Sequence, residues 1–209
     1  MKIFYGVLVA IYALWFVWYG GSGQPMTQAQ VDEYIEIYKS KSHSDPVSQQ
    51  ETLTLIERLA AFDTGNEYLM VNLIRYRDKA KYPADSVWAN ETDALAADAR
   101  YSQGVVVELL KRGGIPLLKG NTIGVFMIDA DWHDWDDFAV VRYRSAEDML
   151  DMMIGMAATG LAEHKYASIE QTHVFPIEPV ISLFFVRSLL ALLLFATAMV
   201  VRGVVLRKG

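Results

Sequence analysis

The hydrophobic pattern is continuous at both ends of the chain and periodic between them. Residues Ile3 to Tyr19 include no charged side chain and no proline. As a helix, this run reaches roughly 25 Å at ~1.5 Å per residue, close to the ~30 Å hydrocarbon core of a bilayer. Trp15, Phe16, Trp18 and Tyr19 gather at its far end, where an interfacial aromatic belt belongs. A cleaved signal peptide also starts with a basic residue and an apolar run. Here the run ends in bulky aromatics and then Gly20-Gly21-Ser22-Gly23, with no small-x-small cleavage site, so retention as an anchor is expected. The second run, Val180 to Val201, reads as the stronger span. It is apolar from Leu189 onward apart from Thr197, and Arg187 interrupts it near one end. A long arginine stem at such a position snorkels to the interface; the sharper alternative is a buried ion pair with a partner protein.

Flanking charge gives an orientation. Lys2 precedes the first run, and Arg202, Arg207 and Lys208 follow the second, while the inner flanks Gly20 to Ala29 and Phe175 to Ser182 have no Lys or Arg. The positive-inside rule then puts both termini in the cytoplasm and the intervening domain outside it, which in a Gram-negative cell is the periplasm. The expected location is the inner, cytoplasmic membrane.

Between the runs, periodicity changes segment by segment. Val31, Tyr34, Ile35 and Tyr38 share one helical face. Asp45-Pro46 opens a second helix, with Ser48 and Glu51 as a capping box and Leu55, Leu59 and Phe62 facing inward. Tyr68 to Tyr76 reads as a strand apolar on both faces. Lys79 to Asn90 is a polar loop. Asp93 to Arg112 is helical, with Ala94, Ala97, Tyr101, Val105 and Leu109 on one stripe and Gly113-Gly114 as its stop. Ile115 to Asp129 is a strand broken near Gly120-Asn121, and Trp135 to Arg144 is another. Ser145 and Asp148 cap a further helix, and Thr172 to Ile177 is a last strand. The order β-α-β-β-α-β predicts an α+β, ferredoxin-like domain. The expected division is residues 1–19 as the first anchor, 20–66 as a linker and helical pair, 67–178 as the domain, and 179–209 as the second anchor and basic tail.

Composition narrows the function. A net charge of −6 over 209 residues, with no concentrated basic face, argues against a nucleic-acid partner. The absence of cysteine removes disulfides, thiolate nucleophiles and cysteine-held metals.

Several segments together resemble a known family. They are Tyr68-Leu69-Met70-Val71-Asn72-Leu73-Ile74-Arg75-Tyr76-Arg77, Gly113-Gly114, Trp135-Asp136, Val140-Val141-Arg142-Tyr143-Arg144-Ser145, and His164-Lys165 followed by Ala167. Their order and spacing are similar to those of the domain of unknown function 1330 family, in the dimeric α+β barrel superfamily, over residues 67 to 178. The resemblance implies a protomer whose sheet packs on a second copy. The superfamily also includes cofactor-free oxygenases, lactone isomerases and haem-handling enzymes. Arg144 stands where the family has proline, and Lys165 where it has arginine. The terminal runs and the helical pair are additions that suggest a dedicated membrane role.

Four residues are candidates for chemistry. His164 is a candidate acid/base because a histidine titrates near neutrality, and the resemblance makes it a motif position. Asn72 and Arg142 are polar groups on otherwise apolar strands, able to orient an anionic or carbonyl group, with Asp136 among the acids that Arg142 alternatively pairs with. Asp129, Asp131, His133, Asp134, Asp136 and Asp137 surround two tryptophans, but their spacing is that of a solvated turn rather than a calcium loop. Met149, Met152, Met153 and Met156 form a helical stripe, expected as core or pocket wall rather than as a copper site. No metal or cofactor is expected. The reading is a membrane-anchored accessory or small-molecule-binding protein, a homodimer or a subunit of a larger membrane complex. The alternative is a cofactor-free oxygenase or isomerase acting on a hydrophobic substrate, with His164 as acid/base and Asn72 and Arg142 orienting the substrate. A purely structural subunit is a third reading.

Overall fold

The computed structural model describes residues 2–20, 23–41, 46–124, 126–127, 134–179 and 186–208, with the side chains of 46–48, 186–188 and 206–208 left out. The Asp45–Ser48 cap, the Arg187 side chain and residues 129–133 of the acidic loop therefore lie outside the described residues. The chain forms two compact units, one of residues 22–178 and one of 1–21 with 179–209.

In the terminal unit, α1 (Lys2–Tyr19) packs with α7 (Val186–Lys208). The better-buried positions of α1 are Phe4, Tyr5, Leu8, Tyr12, Trp15 and Tyr19, and from Tyr5 onward they are spaced alternately three and four residues apart. On α7 they include Ala191, Leu194, Ala198 and Val201. Large aromatics on one helix thus match small and aliphatic residues on the other, and Trp15 stacks on Tyr19 with ring centres 4.3 Å apart. The remaining faces, including Ile3, Val9, Leu14 and Val17 on α1 and Leu192, Phe195 and Val200 on α7, are exposed apolar surface. Among the described residues, α1 is the one helix long and apolar enough to cross a membrane. The apolar part of α7 among the described residues is the shorter stretch Leu189–Val205, and residues 180–185 of the second predicted run lie outside them.

The central unit holds a four-stranded antiparallel sheet in the order β2-β3-β1-β4. The strands are β1 (Tyr68–Tyr76), β2 (Ile115–Asn121), β3 (Asp137–Tyr143) and β4 (Ile169–Ile177). Helix α4 (Ala94–Lys111) joins β1 to β2, and α5 (Ala146–Thr159) with α6 (Leu161–Ser168) joins β3 to β4. Asp93 caps α4 by accepting from Leu95 N–H at 2.8 Å and Ala96 N–H at 3.1 Å, and Gly113 ends it at φ 71°. Ser145 caps α5 through the Asp148 N–H at 3.1 Å, and its hydroxyl donates to Asp148 Oδ2 at 2.9 Å. One long helix does not follow, because Gly160 at φ 72° separates α5 from α6. Gly104 on α4 lets α6 approach closely: a Cβ there would stand 2.3 Å from the Leu161 side chain.

One sheet face is covered. Met70 and Tyr143 pack with Leu109 of α4 and Met152 of α5, and Met149 and Met156 join them, so the methionine stripe is core. Outside this layer, α2 (Gln28–Lys41) and α3 (Pro46–Ala61) pack on α5 through Val31, Tyr38, Ile56, Leu59 and Leu150. The inward face of α3 is rotated from the expected one. Ile56 and Leu59 are buried, whereas Leu55 is 48% and Phe62 38% exposed. Leu59 is buried as expected and belongs to both registers; they part at Leu55 and Ile56, about 100° from each other on a helix, and contact with α5 selects Ile56.

Candidate functional site

The predicted residues occupy separate places. Antiparallel pairing sets Asn72 opposite Ala139 and Leu69 opposite Arg142. Because side chains alternate along a strand, Asn72 lies on the helix-covered face and Arg142 on the other. They cannot line one pocket, which corrects the expectation that both orient one substrate. The amide of Asn72 turns to backbone, donating to the carbonyls of Met70 at 3.3 Å and Ala139 at 3.5 Å. Arg142 is 3% exposed; it donates to Glu67 Oε2 from Nε at 2.8 Å and Nη2 at 2.6 Å, and to the Gly113 carbonyl from Nη1 at 3.0 Å. Its acid is Glu67, not Asp136 or Asp148. Asp136 instead joins strand ends: its Oδ2 accepts from Tyr76 N–H at 2.7 Å, its own N–H donates to the Ile74 carbonyl, and its carbonyl accepts from Thr122 N–H. Asp148 accepts from Arg144 Nε and Nη2 at 2.6 Å each.

His164 sits on α6 against the loop between β1 and α4. Its Nδ1 is 2.7 Å from the Tyr82 hydroxyl, and its ring meets the edges of Tyr82 and Trp88 at 5.7 and 5.4 Å. The Arg100 guanidinium lies 4.2 Å over Trp88 and pairs with Glu91 at 2.7 Å. Burial lowers the pKa of His164, with Arg100 adding to that and Glu163 opposing it. Burial raises Tyr82, and Arg100 partly offsets the rise. Next to this group, burial draws Lys165 below its ordinary value, and its ammonium lies 5.8 Å from the Tyr101 ring centre. Tyr101 is pushed up to about 12 by burial, with Asp98 adding to it.

A second polar cluster escaped the sequence reading. The Tyr76 hydroxyl is 2.8 Å from Asp137 Oδ2 and 3.1 Å from Asp98 Oδ2, and Lys119 Nζ is 3.2 Å from each carboxylate. Ser102 adds a contact to Asp98 at 3.3 Å. Burial and the two acids push the Tyr76 phenol well above its ordinary value, so it stays protonated. These groups come from β1, β2, β3 and α4, and no spacing in the sequence links them. Every member has partners inside the cluster, which is the mark of a structural network.

The two best-formed clefts hold about 140 and 200 Å³ and lie elsewhere. Asp63 and Gly65 line the first, and Asp63, Tyr68 and Pro176 line the second; neither includes His164, Asn72, Arg142 or Asp136. Both are small beside the ~300–1,000 Å³ usual for ligand pockets. Among the described residues, no three His, Asp or Glu side chains gather as metal ligands.

No protein-family model matches the chain, and no curated protein matches it. Solved structures do. A crystal structure of a protein of unknown function from Rhodopseudomonas palustris is 23% identical, with a TM-score of 0.54, covering 68% of this chain and 99% of that one. The methylated form of that protein gives 23% identity and a TM-score of 0.55, covering 68% of this chain and 97% of that one. The likeness is one of fold. A protein from Arabidopsis thaliana, 13% identical over 56% of this chain and 99% of its own, reaches a TM-score of only 0.36 and adds nothing to it.

Proposed function

We propose that this chain is a membrane-anchored accessory protein: a small-molecule-binding module held at a bilayer by its terminal helices and completed by a second copy or by another subunit. The uncovered sheet face carries this reading. Leu69, Val71, Leu73, Phe138 and Val140 lie on the side opposite the helices, with Leu118, Phe175 and Ile177 37–42% exposed beside them. Among the described residues of the central unit, no helix packs there. Apolar surface left in water costs roughly 25 cal/mol per Å², and contiguous patches of it mark interaction surfaces.

The strand order β2-β3-β1-β4 supports a ferredoxin-like topology of the dimeric α+β barrel type. The resemblance to the domain of unknown function 1330 family implies that this sheet face meets its copy. The exposed apolar sides of α1 and α7 support a lipid environment, and flanking charge supports an inner membrane with the domain outside the cytoplasm. The oxygenase or isomerase alternative requires His164, Asn72 and Arg142 around one substrate, and the sheet separates the last two. It is not carried forward.

The cysteine-free sequence makes the topology directly testable. Lys79→Cys places a thiol in the domain, and Lys2→Cys places one at the N-terminal end of α1. In spheroplasts, a membrane-impermeant maleimide is expected to label the first and to reach the second only after lysis. Equal labelling of both, or recovery of the chain in the soluble fraction, contradicts the proposal.

A further inference from the structure

We propose that the cleft between the α3–β1 turn and the end of β4 binds a small organic cation, an ammonium group carried on a short apolar stem. This rests on the reading of the domain as a small-molecule-binding module and names the class of its ligand.

The cleft is built from two fixed pieces. One is the turn that follows α3. Asp63 Oδ1 accepts from Gly65 N–H at 2.8 Å and Oδ2 from Met26 N–H at 2.7 Å, and Gly23 N–H donates to the Gly65 carbonyl at 2.9 Å. Gly65 stands at φ 72°, and a Cβ there would meet the Gln24 backbone at 2.2 Å, so the turn and the segment beside it are clamped together. The other piece is the end of β4, where Pro176 and Ile177 pair with Met70 and Leu69 of β1. The cleft between them holds about 200 Å³, room for a small ligand. A site assembled before its ligand arrives loses less conformational freedom on binding.

The lining divides into an apolar wall and an acidic rim. Phe62 and Tyr68 meet edge to face with ring centres 5.9 Å apart, and Pro176 and Ile177 continue the wall. The Tyr68 hydroxyl donates to Met149 Sδ at 3.1 Å, so the cleft receives ring carbon from it. Phe62 and Ile177, 38% and 37% exposed, lie open to a ligand. Every ionisable lining residue is an acid: Asp63, Glu67 and Glu178. Glu67 is neutralised by Arg142, and Asp63 is held by backbone N–H groups rather than by a cation. The Glu178 carboxylate has no hydrogen bond or ion pair among the described residues. Two carboxylates beside exposed aromatic and aliphatic carbon match an ammonium group and its stem. The charge meets the acids, the stem meets the wall, and a ring face attracts the cation. An anion is repelled. A bare metal ion leaves the wall unused, and no three His, Asp or Glu side chains gather for one among the described residues. A phospholipid headgroup sets a phosphate beside its ammonium, which the same carboxylates repel, so the cation is a free amine.

The test uses the full chain in an uncharged detergent, with labelled isoleucine methyl groups read by nuclear magnetic resonance and Ile177→Val assigning the signal. Isoamylamine, isoamyl alcohol and isovalerate share a branched stem and carry a positive, a neutral and a negative head. The amine should shift the Ile177 methyl saturably, and the alcohol and the carboxylate should bind at least about tenfold more weakly, as loss of a charge-assisted hydrogen bond implies. Glu178→Gln should weaken the amine about tenfold and leave the alcohol unchanged. Phosphoethanolamine should leave the signal in place. No response to the amine, an equal response to the alcohol or the carboxylate, an amine affinity unchanged in Glu178→Gln, or a response to phosphoethanolamine equal to that of the amine would each overturn the inference. Stronger binding of the alcohol or the carboxylate would leave a small-molecule module standing with a different ligand. Anchoring is decided by the maleimide labelling, which does not involve the cleft, so the two failures are distinguishable.

Discussion

Removing the guanidinium of Arg142 leaves the Glu67 carboxylate and the Gly113 carbonyl without their donor. Arg142→Met is therefore expected to cost about 1–2 kcal/mol of stability, seen as a lower Tm in detergent, because the Gly113 carbonyl loses its donor while Glu67, partly exposed, turns to water. A ligand-binding arginine on a pocket wall would leave Tm nearly unchanged. Glu108 gives a prediction in pH. Lys111 and Arg112 hold its carboxyl below the ordinary value of 4.5. Its folded pKa is depressed, so its contribution is present above pH 4.5 and is lost as pH falls through the folded value. Glu108→Gln should lower stability by about 0.5–1 kcal/mol at pH 7 and flatten the acid limb of the Tm profile between pH 5 and 3. At this scale the sequence was only partly legible. It singled out His164 as an acid/base candidate and Asn72, Arg142 and Asp136 as groups that orient a substrate or pair with one another, and the structure pairs Asn72 with backbone, Arg142 with Glu67 and Asp136 with strand ends. Which partner, and which face, depended on register: Asn72 and Arg142 are even-numbered on different strands, and only the pairing of Asn72 with Ala139 shows that they diverge. Tyr82 was missed because it meets His164 from a loop that has no periodicity to read, and Arg100 because it joins the group from α4 through Trp88 of that same loop.

Elements were easier, because caps and stops are local chemistry. Asp93, Ser145 and Gly113 mark helix ends within a residue of where the structure places them, and Tyr68 to Tyr76 is a strand throughout. Gly160 was passed over as a break, since a lone glycine in a methionine-rich helical stretch is also compatible with continuation. Its positive φ of 72° with open space around it makes Gly160→Ala a test of backbone strain alone, expected to cost about 1 kcal/mol. Gly104 differs, because the obstacle is Leu161 rather than its own backbone. Gly104→Ala should cost about 1 kcal/mol if Leu161 changes rotamer, and up to about 3 kcal/mol if α4 and α6 must move apart. Since α6 carries His164, the same change should perturb the nuclear magnetic resonance signals of the His164 ring; an unperturbed ring with normal stability would show that the Leu161 side chain alone makes room. The phase of α3 was misread because its two candidate apolar faces are equally good in isolation, and only packing on α5 favours Ile56 over Leu55.

Across the whole molecule, the α+β architecture and the order of strands and helices along the chain follow from alternation and turn signals, but the uncovered sheet face does not. Tyr68 to Tyr76 is apolar on both sides, which predicts two covering layers, yet among the described residues the central unit supplies helices to one. What covers the other is the central claim: another protein surface. The most direct measurement is the molar mass of the chain extracted in a gentle detergent, by size-exclusion chromatography with light scattering and mass spectrometry of the peak, beside the variant Phe175→Glu. The account predicts a particle holding two copies of the chain, or one copy with defined other subunits, and its loss in Phe175→Glu, which puts a charge on the apolar face. A single chain alone in both proteins, after subtraction of detergent mass, would contradict it.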